Sequence, residues 1–346
     1  MCRIKFFGIY INMPKVSIIM PVYNGMPYIR EAIDSVFSQD FTDWELIISD
    51  NSSTDGTRKF LQTILDKRVK LYAQKENIGA YGNLNFLLTK ASASIAKILC
   101  ADDALLPGSL KKIVEFMDAN PDCAISRCWA EGDSQKYEPG GNWQFEKALP
   151  DRLEPADAVL AFAALGNMVG NLSRASCRPA MVIAAGGFNP QFPYAGDYEG
   201  WLRVVRLYGI SLQNEELVFG RIHEMQGSNL LNKKNEAFSQ INRILITLSN
   251  QVELEDRELL IRHWTINFFS PRVPRFIRQI LSGQFRLAFS IWHDLPLGIS
   301  PWRCIAAYPA WKLKLPWAQQ TTRELIWRIT ARNRHVVRHE QESLEA

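Results

Sequence analysis

Long apolar runs and cysteines are both scarce in this sequence. It contains no stretch of about 18 uncharged apolar residues, so a membrane-spanning helix is not expected. Its six cysteines form no Cys-x-x-Cys pair and no regular framework. Cys100 and Cys123 lie in apolar runs, so we expect free thiols in a reducing compartment, which favours a cytoplasmic protein over a disulfide-stabilised one.

A strong excess of one charge is also lacking, but the charges are unevenly distributed. The chain carries a net charge of +4, and residues 257–346 contain 14 Lys or Arg against 6 Asp or Glu, which leaves the rest at −4. A basic tail on an acidic body argues against a uniform nucleic-acid-binding surface. The sequence also resembles no known nucleic-acid-binding module, so we expect no nucleic acid partner.

The first 120 residues alternate between strand and helix patterns. Apolar runs predict strands at 16–20, 44–49, 69–73 and 96–100, and apolar residues at helical spacing predict helices at 28–39, 57–65, 84–91 and after Pro107. This alternation predicts an α/β fold with a mostly parallel central sheet flanked by helices. Further helices are predicted around 180–185 and 198–208, a strand at 210–218, and a polar loop or insertion at 130–155.

The alternation stops near Ser228, where we place a domain boundary. Residues 1–228 would form the α/β domain, and residues 229–346 a helical, basic, Trp-rich extension. Met13 directly precedes the first strong strand and is an alternative start. The short apolar run before it lacks a small-residue cleavage site and does not fit a signal peptide.

Polar residues follow the ends of four successive predicted strands. They are Pro21-Val-Tyr-Asn-Gly25, Asp50-Asn-Ser-Ser-Thr-Asp-Gly-Thr57, Asn77-Ile-Gly79 and Asp102-Asp103. Each alone also fits ordinary turn chemistry. Because ligands of open α/β sheets bind beyond the carboxyl ends of the strands, the four together predict a binding cleft.

These stretches resemble successive motifs of the family 2 inverting glycosyltransferases, which have the GT-A fold. The matching segments are VSIIMPVYNG, SQDFTDWELIISDNSSTDGT, ENIGAYGNLN and ADDALLPGSL, and the resemblance covers about residues 14–228. It implies a Rossmann-like GT-A domain with a C-terminal helical extension, a nucleotide-sugar donor, and Mn²⁺ or Mg²⁺ as cofactor.

The resemblance also implies a set of donor-binding residues. Asp50 would bind the nucleobase, usually uracil, because an ionised carboxylate accepts the ring N–H. A helix N-cap or an Asx turn is the alternative role for Asp50. The residues assigned to the nucleotide sugar are Pro21, Tyr23, Asp50, Asn77, Gly79, Asn85, Asp103 and Arg221.

Asp102 matches the metal-binding acid of the family's Asp-X-Asp motif, and the resemblance implies that His223 either completes the metal site or binds the diphosphate. Hard oxygen ligands suit Mn²⁺ and Mg²⁺. Cys100 stands where the first Asp of the motif often lies, so the contacts of that acid are lost or reassigned. The structural alternatives are that Asp102 and Asp103 cap the next helix and that His223 is a structural histidine.

Inverting transfer is a direct displacement, so a base must accept the proton of the attacking hydroxyl. The segment Gly196-Asp-Tyr-Glu-Gly-Trp201 fits the family position of that base, and we assign Asp197. Glu199 is the alternative base or an acceptor-binding group. Asp197 would also suit the N-cap of a helix that starts at Tyr198.

The C-terminal third interleaves six tryptophans with Arg and Lys: Trp264, Trp292, Trp302, Trp311, Trp317 and Trp327. This composition fits either a surface that rests on an anionic membrane or a helical subdomain with inward-facing tryptophans. We favour membrane contact through residues 257–338, at the inner face of the cell membrane.

The sequence therefore predicts a metal-dependent inverting glycosyltransferase. It would move a sugar from a nucleoside diphosphate donor, most simply a UDP-sugar, to a saccharide or lipid-linked acceptor in bacterial surface polysaccharide synthesis. A non-catalytic nucleotide-sugar-binding relative and a sugar-phosphate nucleotidyltransferase are the alternatives.

Overall fold

The computed structural model describes residues 3–6, 9–131, 145–223, 236–293 and 295–344, and the side chains of 13–131, 145–223, 237–293 and 295–332. The chain divides into two compact units, Met1–Lys136 with Val169–His223, and Tyr137–Met168 with Glu224–Ala346. The predicted boundary at residue 228 and the middle of the predicted loop at 130–155 lie outside the described residues. The division into domains at residue 228 therefore stays a prediction.

The strands, in chain order, are β1 (Arg3–Phe6), β2 (Ile9–Asn12), β3 (Val16–Val22), β4 (Trp44–Asp50), β5 (Val69–Ala73), β6 (Ile95–Ile98), β7 (Ala104–Leu105), β8 (Ile125–Ala130), β9 (Arg152–Leu153), β10 (Ala175–Cys177) and β11 (Ile210–Phe219). The helices of the first unit are Ile29–Phe37, Thr57–Leu61, Ala80–Lys90, Ser109–Ala119, Pro179–Ala184 and Gly196–Tyr208, with a 3₁₀ turn at Leu172–Arg174.

A mixed sheet forms the centre of the first unit, with strand order β5-β4-β3-β6-β10-β8-β11-β7. β3 pairs in parallel with β4 and β6, and β4 with β5, so the predicted parallel sheet is confirmed for this half. β10 lies antiparallel between β6 and β8, and β7 antiparallel to β11. The prediction missed β10 because three residues carry too little pattern. β1 and β2 pair with each other.

The core of the first unit follows the predicted apolar faces. Ile29, Ile33 and Val36 of the first helix are buried, and so are Leu110, Ile113, Val114 and Met117 of the fourth. Leu65, the last residue of the helix predicted at 57–65, is 92% exposed, so the prediction is wrong for the end of that helix. The helix ends at Leu61, so the register that would turn Leu65 toward the core is not continued.

The second unit is mainly helical. Its helices are Pro155–Leu165, Glu236–Gln251, Leu254–His263, Val273–Leu281, Phe285–Ser290, Pro301–Lys312 and Pro316–Leu344, with a π-helix at Trp264–Phe269 and a 3₁₀ turn at Ser270–Arg272. Among the described residues, no helix is both long and apolar enough to cross a membrane.

The helix Pro155–Leu165 was not predicted, because its residues are apolar all round and show no helical periodicity. Two of its last carbonyl oxygens accept hydrogen bonds from side chains of helix Leu254–His263 and of the π-helix that follows it. His263 Nε2 donates to the Ala164 oxygen at 2.7 Å, and Trp264 Nε1 donates to the Ala163 oxygen at 2.7 Å. Trp264 is fully buried, and its indole N–H has a hydrogen-bond partner there.

The other tryptophans of the C-terminal third divide between buried and exposed positions. Trp292 is buried and Trp311 is half-buried, whereas Trp302, Trp317 and Trp327 are exposed. The described cysteines are free thiols, and all but the half-buried Cys100 are buried.

Candidate active site

The candidate site lies at the carboxyl edge of the parallel strands. Asp50 is the last residue of β4 and pairs in register with Val22, the last residue of β3. Asp102 follows the end of β6, on the other side of β3. Two strand spacings, about 10 Å, therefore separate the ends of β4 and β6, a distance that one nucleotide can span.

The loops after β3 and β4 are bonded to each other at this edge. The Asn24 amide donates to Ser53 Oγ at 2.8 Å, and the Gly25 amide donates to Thr57 Oγ1 at 2.9 Å. Asn24 has a φ of 52°, a left-handed conformation that asparagine tolerates. Two of the four predicted polar loops thus form one surface, and Tyr23 next to them is half exposed.

Asp50 is buried, and both its oxygens have partners. Oδ2 accepts from Arg58 Nε at 2.6 Å, and Oδ1 accepts from the Ser53 amide at 3.0 Å. The second bond is the local turn that we considered as an alternative, whereas the helix that follows is capped by Gly56 and not by Asp50. A carboxylate has about four acceptor positions, so these two bonds leave room for a base N–H.

Asn51 bonds the loop 77–79, which follows β5, to this edge of the sheet, a role that the sequence analysis did not assign. Its Nδ2 donates to Asn77 Oδ1 at 2.9 Å and to the Gly79 oxygen at 3.1 Å, and its Oδ1 accepts from the Ile78 amide at 2.9 Å. Asn77 and Gly79 therefore lie beside Asp50, as the strand order implied. The sequence signal for this role of Asn51 was the position of a polar residue at the end of a predicted strand.

Asn85 occupies a different environment. Its Nδ2 donates to the Phe188 oxygen at 2.7 Å, and its Oδ1 accepts from the Phe188 amide at 2.8 Å. Gly187 has no Cβ, which would otherwise lie 2.6 Å from Asn85 Oδ1. These contacts favour a role in holding the Gly187–Phe188 turn over direct contact with a donor.

Asp102 and His223 meet although 121 residues separate them along the chain. His223 Nε2 lies 3.1 Å from Asp102 Oδ2, and the two side chains are 18% and 30% exposed. Two neighbouring ligands of an octahedral ion with bonds of about 2.1 Å are about 3 Å apart, so this spacing fits a shared cation. The ring of Tyr28 lies 4.9 Å from that of His223 and orients it.

Asp103 is buried and bonded on both oxygens. Oδ2 accepts from Ser173 Oγ at 2.6 Å and from Asn171 Nδ2 at 2.8 Å, and Oδ1 accepts from the Arg221 amide at 2.9 Å. Burial raises the pKa of Asp103, and the neighbouring Asp102 charge raises it further. The resemblance implied that Asp103 either orients the loop or contacts the sugar, and its contacts favour the first of these roles.

The next helix gives no support to the capping alternative for the two acids. Helix Ser109–Ala119 has Gly108 at its N-cap and no side-chain cap bond. The sequence analysis missed Asn171 and Ser173, because the short turn that carries them has no recognisable pattern.

Cys100 lies beside the two acids, where one ligand atom from each of Cys100, Asp102 and Asp103 falls within 4.8 Å of the others. Burial raises the pKa of the Cys100 thiol well above its usual range, and the charges of Asp103 and Asp102 raise it further. A protonated thiol is a poor ligand for Mn²⁺ or Mg²⁺. Asp102 and His223 therefore fit a metal ion better than Cys100 does.

Arg221 joins the loop of His223 to that of Asp102. Its Nε donates to the Asp102 carbonyl oxygen at 3.1 Å, and its Nη2 lies 2.6 Å from Glu31 Oε2. The guanidinium also lies 4.6 Å from the centre of the Tyr28 ring. Glu31 is exposed, so this ion pair is weak and a phosphate could replace it.

Asp197 lies in the first turn of helix Gly196–Tyr208, whose N-cap is Ala195, so the predicted N-cap role of Asp197 is wrong. Tyr81 Oη donates to Asp197 Oδ1 at 3.3 Å. Burial raises the pKa of Tyr81, followed by the charge of Asp197, and Cys100 also raises it. Tyr81 therefore contacts the Asp197 carboxylate directly.

The same tyrosine belongs to the helix that begins just after Gly79, the residue bonded to Asn51. Contacts therefore run from Asp50 through this helix to Asp197. Asp102 is bonded instead to His223 and Arg221, next to the end of β6. The convergence of all three acids on one donor stays a prediction.

Glu199, the alternative base, forms a bidentate pair with Arg203. The distances are 2.8 Å from Nε to Oε1 and 3.0 Å from Nη2 to Oε2. Arg203 also donates to the carbonyl oxygens of Ala185 and Gly187 at 2.7 and 2.6 Å. Glu199 thus holds Arg203 against the 185–187 turn, a structural role that favours Asp197 as the base.

The sequence and fold are similar to those of known proteins. The model of "Glycosyl transferase family 2" matches residues 17–165. An uncharacterized glycosyltransferase of Haemophilus influenzae is 32% identical over 247 residues, which cover 68% of this chain and 74% of that protein. The GalNAc(5)-diNAcBac-PP-undecaprenol beta-1,3-glucosyltransferase of Campylobacter jejuni is 38% identical over 106 residues, or 30% of this chain and 34% of that protein.

Two solved structures are similar in fold. S. aureus TarS in complex with UDP-GlcNAc has a TM-score of 0.58 at 18% identity, over 90% of both chains. The Pyrobaculum calidifontis mannosyltransferase PcManGT in complex with GDP-Man and Mn²⁺ has a TM-score of 0.52 at 17% identity, over 93% of this chain and 87% of that one. The chain therefore has the GT-A fold and belongs to glycosyl transferase family 2.

Proposed function

We propose that this glycosyltransferase is metal-dependent and inverting, and that it uses a nucleoside diphosphate sugar, most simply a UDP-sugar. The observation that carries the proposal is the 3.1 Å contact between Asp102 and His223 at the carboxyl edge of the sheet. TarS was solved with UDP-GlcNAc and PcManGT with GDP-Man and Mn²⁺, which supports this class of donor and cofactor.

The side chains divide the work between donor binding and proton transfer. Asp50 would accept the base N–H, and Asp102 with His223 would hold Mn²⁺ or Mg²⁺. A bound divalent cation supplies positive charge that stabilises the departing diphosphate. Arg221 would exchange Glu31 for a phosphate oxygen.

Asp197 would accept the proton of the acceptor hydroxyl, and Tyr81 would hold its carboxylate in place. This is the only proton acceptor that direct displacement requires, since a diphosphate leaves without protonation. Glu199 would instead support the turn that Arg203 binds.

We also propose a saccharide or lipid-linked acceptor in bacterial surface polysaccharide synthesis. The similarity to the undecaprenol-linked glucosyltransferase supports this acceptor class. The described free thiols support a reducing compartment, and the basic tail supports contact with the anionic inner face of the cell membrane.

Calorimetry with UDP and GDP, with and without Mn²⁺, tests the donor site. Asp102→Asn and His223→Gln should each weaken Mn²⁺-dependent binding by roughly tenfold or more, while the exposed-acid control Asp118→Asn should bind as the unmodified protein does. A Kd for UDP that is changed neither by Mn²⁺ nor by Asp102→Asn would disprove the metal site.

Turnover separates the mechanism from its alternatives. Asp197→Asn should lower kcat by roughly 10²-fold or more and leave the donor Kd unchanged, and NMR of the product should show inversion at the anomeric carbon. Donor binding without turnover on any acceptor would favour the non-catalytic relative. Release of pyrophosphate from a sugar phosphate and a nucleoside triphosphate would favour the nucleotidyltransferase.

A further inference from the structure

We propose that the helical hairpin 273–290 is the part of the second unit that docks on an anionic lipid bilayer. The inference rests on the membrane contact in the proposed function and names the surface that makes it. The hairpin consists of helices Val273–Leu281 and Phe285–Ser290 and the turn between them.

The turn of the hairpin is well formed. The Gln284 amide donates to the Gln279 oxygen at 2.9 Å, and the Gly283 amide donates to the Ile280 oxygen at 3.0 Å. Gly283 has a φ of +74°, the left-handed conformation that commonly ends a helix. Beneath the turn, the ring of Phe276 packs against those of Phe289 and Trp292 at 5.8 and 5.7 Å. The tip is thus a folded element.

Large apolar side chains are exposed on both arms of this hairpin. Ile277 and Leu281 lie one helical turn apart on the first arm, at 46% and 82% exposure. Phe285 and Phe289 are spaced the same way on the second arm, at 57% and 60% exposure. Residues four apart share a face of a helix, so each arm presents a pair. Exposed apolar residues grouped in this way mark a contact surface rather than a random scatter.

The positive charge around these apolar residues favours an anionic bilayer as the partner. Residues 259–293 contain no acidic residue and five arginines, of which Arg272 is buried and the other four are exposed or half-buried. Arg278 and Arg286, which flank the tip, are both exposed. Apolar side chains bordered by arginine fit the acyl boundary and the anionic headgroups of a bilayer. A protein partner would have to offer an acidic rim around an apolar patch.

Flotation with vesicles of phosphatidylcholine, with and without phosphatidylglycerol, tests the inference on the full chain. Leu281→Ser with Phe285→Ser should lower the partition coefficient roughly tenfold or more, because each side chain loses its burial in the acyl boundary. Arg278→Gln and Arg286→Gln should each lower it roughly fivefold, and only with phosphatidylglycerol present. Leu65→Ser and Lys111→Gln, which remove equally exposed groups of the first unit, should change nothing.

Thermal unfolding shows whether each variant is folded. UDP binding by the same variants shows whether the donor site is intact, so a failure of the membrane contact can be distinguished from a failure of the donor site. If the hairpin variants float as the unmodified protein does, the hairpin is not the docking surface. If the unmodified protein fails to bind either vesicle, the membrane contact itself is wrong. If light scattering shows a dimer that the Leu281→Ser, Phe285→Ser variant dissociates while flotation is unchanged, the surface belongs to a second copy of the chain.

Discussion

The contact between Tyr81 and Asp197 makes the pH dependence of the enzyme a test of the base assignment. The Tyr81 hydroxyl is buried and donates to Asp197 Oδ1 at 3.3 Å. This bond stabilises the charged carboxylate, which is the form that accepts a proton. Tyr81→Phe removes the donor and keeps the ring that stacks on Phe188.

A hydrogen bond to a charged group contributes about 1.5–3 kcal/mol, and the long distance here favours the lower value. About 1.4 kcal/mol corresponds to a factor of ten, or about one pH unit. We therefore expect the acidic limb of the kcat/KM profile to move to higher pH by roughly one unit in Tyr81→Phe. The donor KM should change little, because Tyr81→Phe keeps the buried ring that packs just after Gly79.

The assay is the initial rate of nucleoside diphosphate release across a pH series. Tyr72→Phe, in β5, is the matched control and should show the unmodified profile. A uniform fall in rate without a shift of the acidic limb would refute the reasoning, because it would mean that Tyr81 supports only the fold. An equal shift in Tyr72→Phe would refute it as well.

Three further predictions concern stability. Gly196→Ala should lower Tm and activity, since its Cβ would lie 2.5 Å from Tyr81 Cε2, while Gly82→Ala, whose nearest neighbour would be 3.6 Å away, should leave thermal unfolding nearly unchanged. Burial lowers the pKa of His263 from 6.5 to about 4. As the pH falls, the unfolded chain binds a proton at His263 before the folded chain does, so the free energy of unfolding should fall by about 3 kcal/mol between pH 6.5 and 4 in urea titrations. If the unmodified protein lost no more stability over this range than His263→Gln does, the prediction would be contradicted. Asp256→Asn should destabilise the second unit by about 3 kcal/mol in the same assay, because the buried carboxylate binds two arginines of the last helix at 2.7 and 2.8 Å; a change below about 1 kcal/mol would show that the arginines are satisfied by water.

The local patterns of the sequence determined most of the first unit. Strands alternate with helices of regular apolar spacing, and each signal needs only ten or so neighbouring residues to be recognised. The polar residues at the strand ends could be placed at one edge for the same reason, since parallel strands end on the same side. Asp50 and Asp102 lie at such strand ends, and the roles of these two acids and of Asp197 came from the resemblance to the family.

Tertiary structure decided which of these side chains are available for chemistry. Asp103 and Asn85 carry the same motif signal as their neighbours, but their partners come from turns 68 and 103 residues away. The pairing of Asp102 with His223, across 121 residues, likewise depends on how the strands are ordered in the sheet. Short-range spacing encodes helices and strands, whereas hydrogen-bond partners at this separation depend on the packing of the whole unit. That is why the sequence could indicate the candidate residues, and only the folded chain could show which of them are bonded to distant loops.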